Sequence, residues 1–212
     1  MDSLVLFLQL LGTAAFAVSG AMVGLRKRMD ILGVVVLGLT TAVGGGIVRD
    51  VLLGITPPAI FSDPLTVTLA AVTSVLFFFT AVRQRLMRSP RAYELTMLWS
   101  DSLGLGIFTV IGAQTAATIL PESNWMTVAF LGTVTGVGGG VLRDVMAGEL
   151  PYIFKKHIYA CAALAGAFVW EIVRIWNDGA ALLVGGGMVV IIRLLAAHYR
   201  WSLPRPDDSE EF

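Results

Sequence analysis

Apolar residues fill seven stretches of this chain, at about 3–25, 30–53, 65–86, 93–119, 125–149, 155–176 and 179–201. Each is long enough, at about 1.5 Å of helical rise per residue, to cross a hydrocarbon layer of about 30 Å. Between them lie breaks of charge or turn chemistry: Arg26-Lys27-Arg28, Pro57-Pro58, Ser89-Pro90-Arg91, Pro121-Glu122-Ser123-Asn124, Pro151 and Asn177-Asp178-Gly179. The pattern predicts an all-α membrane protein of seven transmembrane helices. Beyond the last stretch, Pro204–Phe212 carries Asp207, Asp208, Glu210 and Glu211. It reads as a short solvated tail.

Composition agrees. The 212 residues are 56% hydrophobic and 14% charged, with a mean hydropathy of +0.80. Soluble domains carry roughly 25% charged residues, and a soluble α/β domain needs short strands alternating with amphipathic helices. Neither description fits. The single cysteine, Cys161, excludes an intrachain disulfide. No Lys or Arg precedes the first apolar stretch, so that stretch is expected to be retained rather than cleaved as a signal peptide.

Basic residues set the expected direction, because Lys and Arg stay on the cytoplasmic side. Arg26, Lys27 and Arg28 follow the first stretch. Arg83, Arg85, Arg88 and Arg91 surround the third connection, Lys155 and Lys156 the fifth, and Arg200 and Arg205 follow the seventh. Eleven of the 15 basic residues thus fall on one side, with Arg174 alone at the opposite end of a span. The expected N-terminus is outside and the C-terminus inside, in the cell inner (plasma) membrane.

The second and fifth stretches contain a duplication. GGGIVRDVLLGITP, from Gly44, is matched 94 positions later by GGGVLRDVMAGELP, from Gly138. The preceding stretches match as well, Gly12–Ala21 against Gly104–Ala113. An odd number of spans separates the copies, so they are expected to be inverted across the membrane plane. The expected units are residues 1–89 and 90–177, followed by a seventh helix over 178–203 and a cytoplasmic tail over 204–212.

Gly44, Gly45 and Gly46, with Gly138, Gly139 and Gly140, lie near the middle of their stretches. Each costs a helix about 1 kcal/mol relative to alanine. Two broken helices are therefore expected, their freed carbonyls and amides lining a central pathway. The alternative, close helix packing, is the reading for Gly20 and Gly24, Ala162 and Gly166, and Gly185-Gly186-Gly187. Arg49, Asp50, Arg143 and Asp144 sit beside the expected breaks. An Arg or Asp at a helix centre costs about 2.5–3.5 kcal/mol on insertion scales, so each must pair or reach water. Adjacent helical residues point about 100° apart, so one member of each pair is expected to face the pathway and the other an adjacent span. Asp101 is the candidate partner of Arg143, and Gln9, at the matching position, that of Arg49. Arg193, near the inner end of the last stretch, is expected to snorkel. Glu171 and Arg174 are expected to pair along one helix face. His157 and His198 read as polar boundary residues.

The glycines lack a GK[ST] ending and follow no strand, so they form no phosphate loop. The histidines have no partners at metal-ligand spacing, and the basic clusters lack interleaved aromatics for nucleic acid. No enzymatic activity, cofactor, structural metal or nucleic-acid partner is expected. A membrane channel or a secondary transporter remains.

Two copies of GGG-[IV]-x-R-D, three spans apart in a chain of seven, resemble the trimeric intracellular cation (TRIC) channel family. The resemblance covers about residues 3–201. Animal members carry Lys-Glu-Val where this chain has Gly44-Gly45-Gly46, so it is similar to a bacterial or archaeal member. The resemblance implies a homotrimer in membrane lipid with a pore in each protomer, lined by the second and fifth spans and passing potassium and other monovalent cations. It implies that the six glycines form kinks, with Arg49, Asp50, Arg143 and Asp144 beside them. A transporter of a small zwitterion such as glycine would use the same elements, its carboxylate on amide ends and its ammonium on carbonyl ends.

Overall fold

The computed structural model describes residues 3–79, 89–155 and 158–201. Arg83, Arg85, Arg88, Lys156, His157, Arg205 and the acidic tail lie outside these residues. The described residues contain helices and no strand. The long helices are α1 (Ser3–Arg26), α2 (Ile31–Leu52), α3 (Pro64–Phe79), α4 (Pro90–Ile119), α5 (Trp125–Met146), α6 (Tyr159–Val173) and α7 (Asp178–His198). A 3-10 turn at Ala59–Ser62 precedes α3, and a single helical turn at Tyr152–Lys155 precedes α6. Five of the helices, α1, α2, α4, α5 and α7, are long and apolar enough to cross a membrane, while α3 and α6 are shorter.

Local chemistry explains the boundaries. Asp30, Asn124 and Asn177 cap α2, α5 and α7, each accepting a backbone N–H three residues on, at 2.8, 3.0 and 2.8 Å. Ser89 does the same for α4, with Pro90 in the first turn, so this helix starts earlier than residue 93. α5 ends at Met146 rather than 149, and α2 at Leu52, because a glycine with positive φ follows each: Gly54 at 72° and Gly148 at 66°. The Gly54 and Ile55 amides donate to the carbonyls of Val51 and Asp50, and those of Gly148 and Glu149 to Val145 and Asp144. This is the double bond pattern of a glycine-capped helix end. The glycine after each Arg-Asp pair is therefore a stop signal. α6 spans less than the expected 155–176: Ile158 takes a left-handed conformation (φ 51°) before it, and the helix ends at Val173.

The two three-helix units face each other about a pseudo-two-fold. A Cβ on Gly45 would lie 2.0 Å from the Thr135 carbonyl oxygen, and one on Gly139 would lie 2.0 Å from that of Thr41. The contacts exchange under the repeat, so α2 and α5 cross antiparallel. α1 and α4 behave alike, Gly12 meeting Phe108 and Gly104 meeting Phe16. Gly20 against the Thr41 hydroxyl is likewise mirrored by Gly112 against Thr135. α7 packs outside this pattern, its Gly185 against Gly166 of α6.

The expected helix breaks are absent. Helical structure runs through Gly44-Gly45-Gly46 and Gly138-Gly139-Gly140 without interruption. The glycines are spent on proximity instead: a side chain at the first two positions of either triplet would meet the opposite helix. Close approach of two helices recovers in packing what glycine loses in propensity. No carbonyls or amides are released at mid-helix, and the packing reading applies to most of both triplets.

Candidate functional site

Each Arg-Asp pair occupies the last turn and a half of its helix, so α2 and α5, being antiparallel, carry them to opposite ends of the bundle. Arg49 folds back onto its own neighbour: Nε and Nη2 donate to Asp50 Oδ1 at 2.9 and 2.6 Å. Arg143 Nε donates to Asp144 Oδ1 at 2.8 Å. The expectation that neighbours on a helix must face apart fails because the long guanidinium arm reaches around the turn. The second oxygen of each Asp accepts a backbone N–H from the segment after the helix, Ala59 to Asp50 at 2.9 Å and Tyr152 to Asp144 at 2.8 Å. Each Asp thus pins the returning chain to the helix end.

The free edge of each guanidinium then reaches other helices, α4 and α1 for Arg143 and α4 for Arg49. Arg143 Nη1 donates to Asp101 Oδ1 at 2.8 Å and to the Ser19 hydroxyl at 2.5 Å. The Asp101 partnership matches the expectation from depth. Arg143, Asp101 and Asp144 are all buried, and the guanidinium also lies 5.0 Å from the ring centre of Tyr152. Arg49 Nη1 instead makes a long contact, 3.4 Å, with the Thr115 hydroxyl of α4. Gln9 is not its partner: Gln9 Nε2 donates to Asp63 Oδ2 at 2.9 Å and Thr66 Oγ1 at 3.0 Å. Asp63, preceding Pro64, also accepts the Thr66 amide at 3.1 Å and so caps α3.

A cavity of about 530 Å³ opens at the Arg49 end, bordered by Gln9, Gly46, Arg49, Asp50, Asp63 and Thr115, with Phe108 and Ile111 on its apolar side. One guanidinium faces two carboxylates there, leaving one negative charge in excess. The Arg143 end is filled. A Cβ on Gly46 would meet only Arg49 Nη2, at 3.9 Å, whereas one on Gly140 would meet the Tyr159 hydroxyl at 3.1 Å, Arg143 at 3.7 Å and Asp101 at 3.9 Å. The third glycine of each triplet therefore borders the charges, and only Gly46 borders open space.

Arg193 does not snorkel. It is buried, with its guanidinium 4.7 Å from the Tyr159 ring centre. Glu171 and Arg174 pair as expected at 2.7 Å. His198 is exposed beside Tyr199. Sequence reasoning passed over Asp63, Ser19, Thr115, Tyr159 and Glu149. Asp63 was readable as a cap in Ser62-Asp63-Pro64, and Glu149 as a departure from Ile55 at the matching repeat position. The hydroxyl residues carry no such signal.

The model of the Glycine transporter family matches twice, over residues 6–82 and 98–174, once in each unit. The UPF0126 inner membrane protein YadS of Escherichia coli K12 is 39% identical, the match covering 96% of this chain and 95% of the relative. A solved prokaryotic TRIC channel, crystallised in 0.5 M KCl, shares 32% identity at a TM-score of 0.88, covering 96% of this chain and all of the other. The TRIC trimeric intracellular cation channel orthologue from Rhodobacter sphaeroides shares 32% identity at a TM-score of 0.84, covering 94% of this chain and all of the other.

Proposed function

The chain belongs to the Glycine transporter family, is a multi-pass inner-membrane protein and carries the TRIC channel fold; from that premise we propose that it is a passage for monovalent cations, chiefly potassium. The passage runs beside the α2–α5 crossing, past Gly46 and Arg49, rather than through unwound glycines. One observation carries this reading: the cavity at the Arg49 end holds one more carboxylate than guanidinium. Asp50 is neutralised by Arg49, while among the described residues Asp63 meets neutral donors, Gln9 and Thr66. A partly desolvated carboxylate beside a polar wall attracts cations and holds them weakly enough for release.

Likeness to trimeric cation channels supports a homotrimer with a passage in each protomer. The seven apolar stretches support seven spans, and the basic residues at the connections support an N-terminus outside. On that orientation the open cavity faces out and the Arg143 cluster faces the cytoplasm. The two units are residues 1–89 and 90–177.

A second reading, transport of a small zwitterion such as glycine, is favoured by a cavity that offers both charge signs, and by the family description. Purified protein in planar bilayers under a KCl gradient decides. Discrete currents reversing near the potassium potential support the channel. Silent bilayers, together with saturable glycine uptake into proteoliposomes, overturn it in favour of the transporter.

A further inference from the structure

The cavity at the Arg49 end has a polar mouth and an apolar floor. Gln9, Arg49, Asp50 and Asp63 border the mouth, while Ala42 and Val43, about two turns earlier in α2, border the floor with Phe108 of α4. Phe108 stacks on Phe16 of α1, ring centres 5.4 Å apart and planes 21° from parallel. The two rings hold matching places in the repeats, and so do Val43 and Val137, each just before a glycine triplet. All four belong to one apolar cluster. Polar groups resume a turn past Val137, where Gly140 faces the Tyr159 hydroxyl, Arg143 and Asp101. Two charged ends are thus separated by carbon, where a cation would shed water with no oxygen to replace it.

The two rings are not held alike. A Cβ on Gly104 would stand 2.1, 2.4 and 2.6 Å from three atoms of the Phe16 ring, so that ring is seated directly on the α4 backbone. The matching glycine, Gly12, would bring a Cβ to 3.2 Å from one atom of Phe108. Phe16 is fully buried, whereas Phe108 is half-buried and borders open space. One ring is fixed and its partner is free to turn.

We infer that Phe108 is the barrier residue of the passage, an apolar ring backed by Phe16 that keeps the midpoint dry and opens by turning into the Arg49 cavity. Apolar constrictions of this kind stop ions by excluding water rather than by filling the bore. The inference rests on the passage proposed above, but wetting of the midpoint is read by labelling, separately from ion flux.

The test separates polarity from size. Phe108→Asn removes the ring and offers hydrogen bonds; Phe108→Leu removes the ring and stays apolar. Val43→Thr keeps the shape of the floor and adds one hydroxyl. In full-length protein carrying Cys161→Ser, Val137→Cys marks the far side of the barrier. Proteoliposomes are treated on both faces with a charged methanethiosulfonate reagent, and potassium flux is recorded in the same variants without the probe cysteine. Phe108→Asn is expected to speed labelling of Val137→Cys at least about tenfold, the scale of one hydrogen bond to a charged group. Val43→Thr is expected to speed it about threefold, the scale of a weaker net hydrogen bond, and Phe108→Leu by less than either. Val43→Thr decides alone if Phe108→Asn fails to fold.

A Val137→Cys rate unchanged in every folded polar variant overturns the barrier, whatever the flux. Acceleration by Phe108→Leu equal to that of the polar variants overturns it too, because bulk alone would then matter. A raised rate with raised potassium flux in the polar variants supports it. A raised rate in those variants without potassium flux in any of them supports the dry barrier and overturns the cation reading instead.

Discussion

The α carbons of Gly45 and Gly139 sit where nothing larger fits, because a Cβ on Gly45 would stand 2.0 Å from the carbonyl oxygen of Thr135 and its repeat partner 2.0 Å from that of Thr41. The obstacle in each case is backbone, which cannot rotate away. Gly45→Ala and Gly139→Ala should each destabilise the bundle by about 1–3 kcal/mol or more through overpacking. Gly46→Ala, facing Arg49 at 3.9 Å, should leave it unaltered. Thermal unfolding in detergent compares the three. Equal melting temperatures would mean that α2 and α5 are farther apart than described. Leucine at Gly45 or Gly139 should therefore disturb assembly and flux together, not flux alone.

Arg143 has two carboxylate partners, Asp101 and Asp144, and removing one strips a buried guanidinium of one of its charge-assisted hydrogen bonds. Asp101→Asn should destabilise by roughly 1.5–3 kcal/mol, as for other lost hydrogen bonds to charged groups. Arg143→Met, which leaves both buried carboxylates without their counter-ion, should cost more, and Arg143→Met with Asp101→Leu and Asp144→Asn should recover much of that loss, since no unpaired charge then remains. Chemical or thermal denaturation of the single and triple variants measures the coupling. A triple variant no more stable than Arg143→Met would show that the cluster does not act as a unit.

Asp63 is the carboxylate in the open cavity that answers to no guanidinium or ammonium among the described residues. Asp63→Asn keeps the shape and much of the α3 cap while removing the charge. The potassium-to-chloride permeability ratio, from reversal potentials in a KCl gradient, should fall several-fold while the protein stays folded. Gln9→Leu, which removes a neutral donor, should change the ratio less. An Asp63→Asn ratio equal to that of the parent would place the selecting charge elsewhere.

Glu149 gives stability a pH dependence of known sign. Burial alone would raise its pKa, but hydrogen bonds from Arg26 and Lys27 outweigh burial and hold it below the ordinary carboxylate value of 4.5. A depressed carboxylate contributes its full stabilisation above that value and loses it as pH falls through the lower, folded value. Arg26 is 45% exposed, so solvent and salt limit the contribution to less than about 1 kcal/mol. The melting temperature should drop between pH 5 and 3 less steeply in Glu149→Gln than in the parent. High salt should narrow the difference. Parallel curves at low salt would show that Glu149 is not engaged.

The sequence by itself determined the helices, their number of apolar stretches and their duplication, because span length and repeat spacing are properties of the chain that lipid reads one segment at a time. Depth was legible too, and depth sufficed to match Arg143 with Asp101. What the glycines do was decided only by tertiary structure. A triplet weakens a helix in isolation, but against a second triplet the missing side chains become room for contact, and α2 and α5 stay whole. Which way a guanidinium turns was also undecidable locally, since Arg49 and Arg143 each reach back to an adjacent carboxylate that helical geometry points elsewhere. The open and filled ends, finally, follow from pieces distant in sequence. Tyr159 meets Arg193, and Glu149 meets Arg26, only because distant helices converge, and no spacing along the chain encodes either meeting.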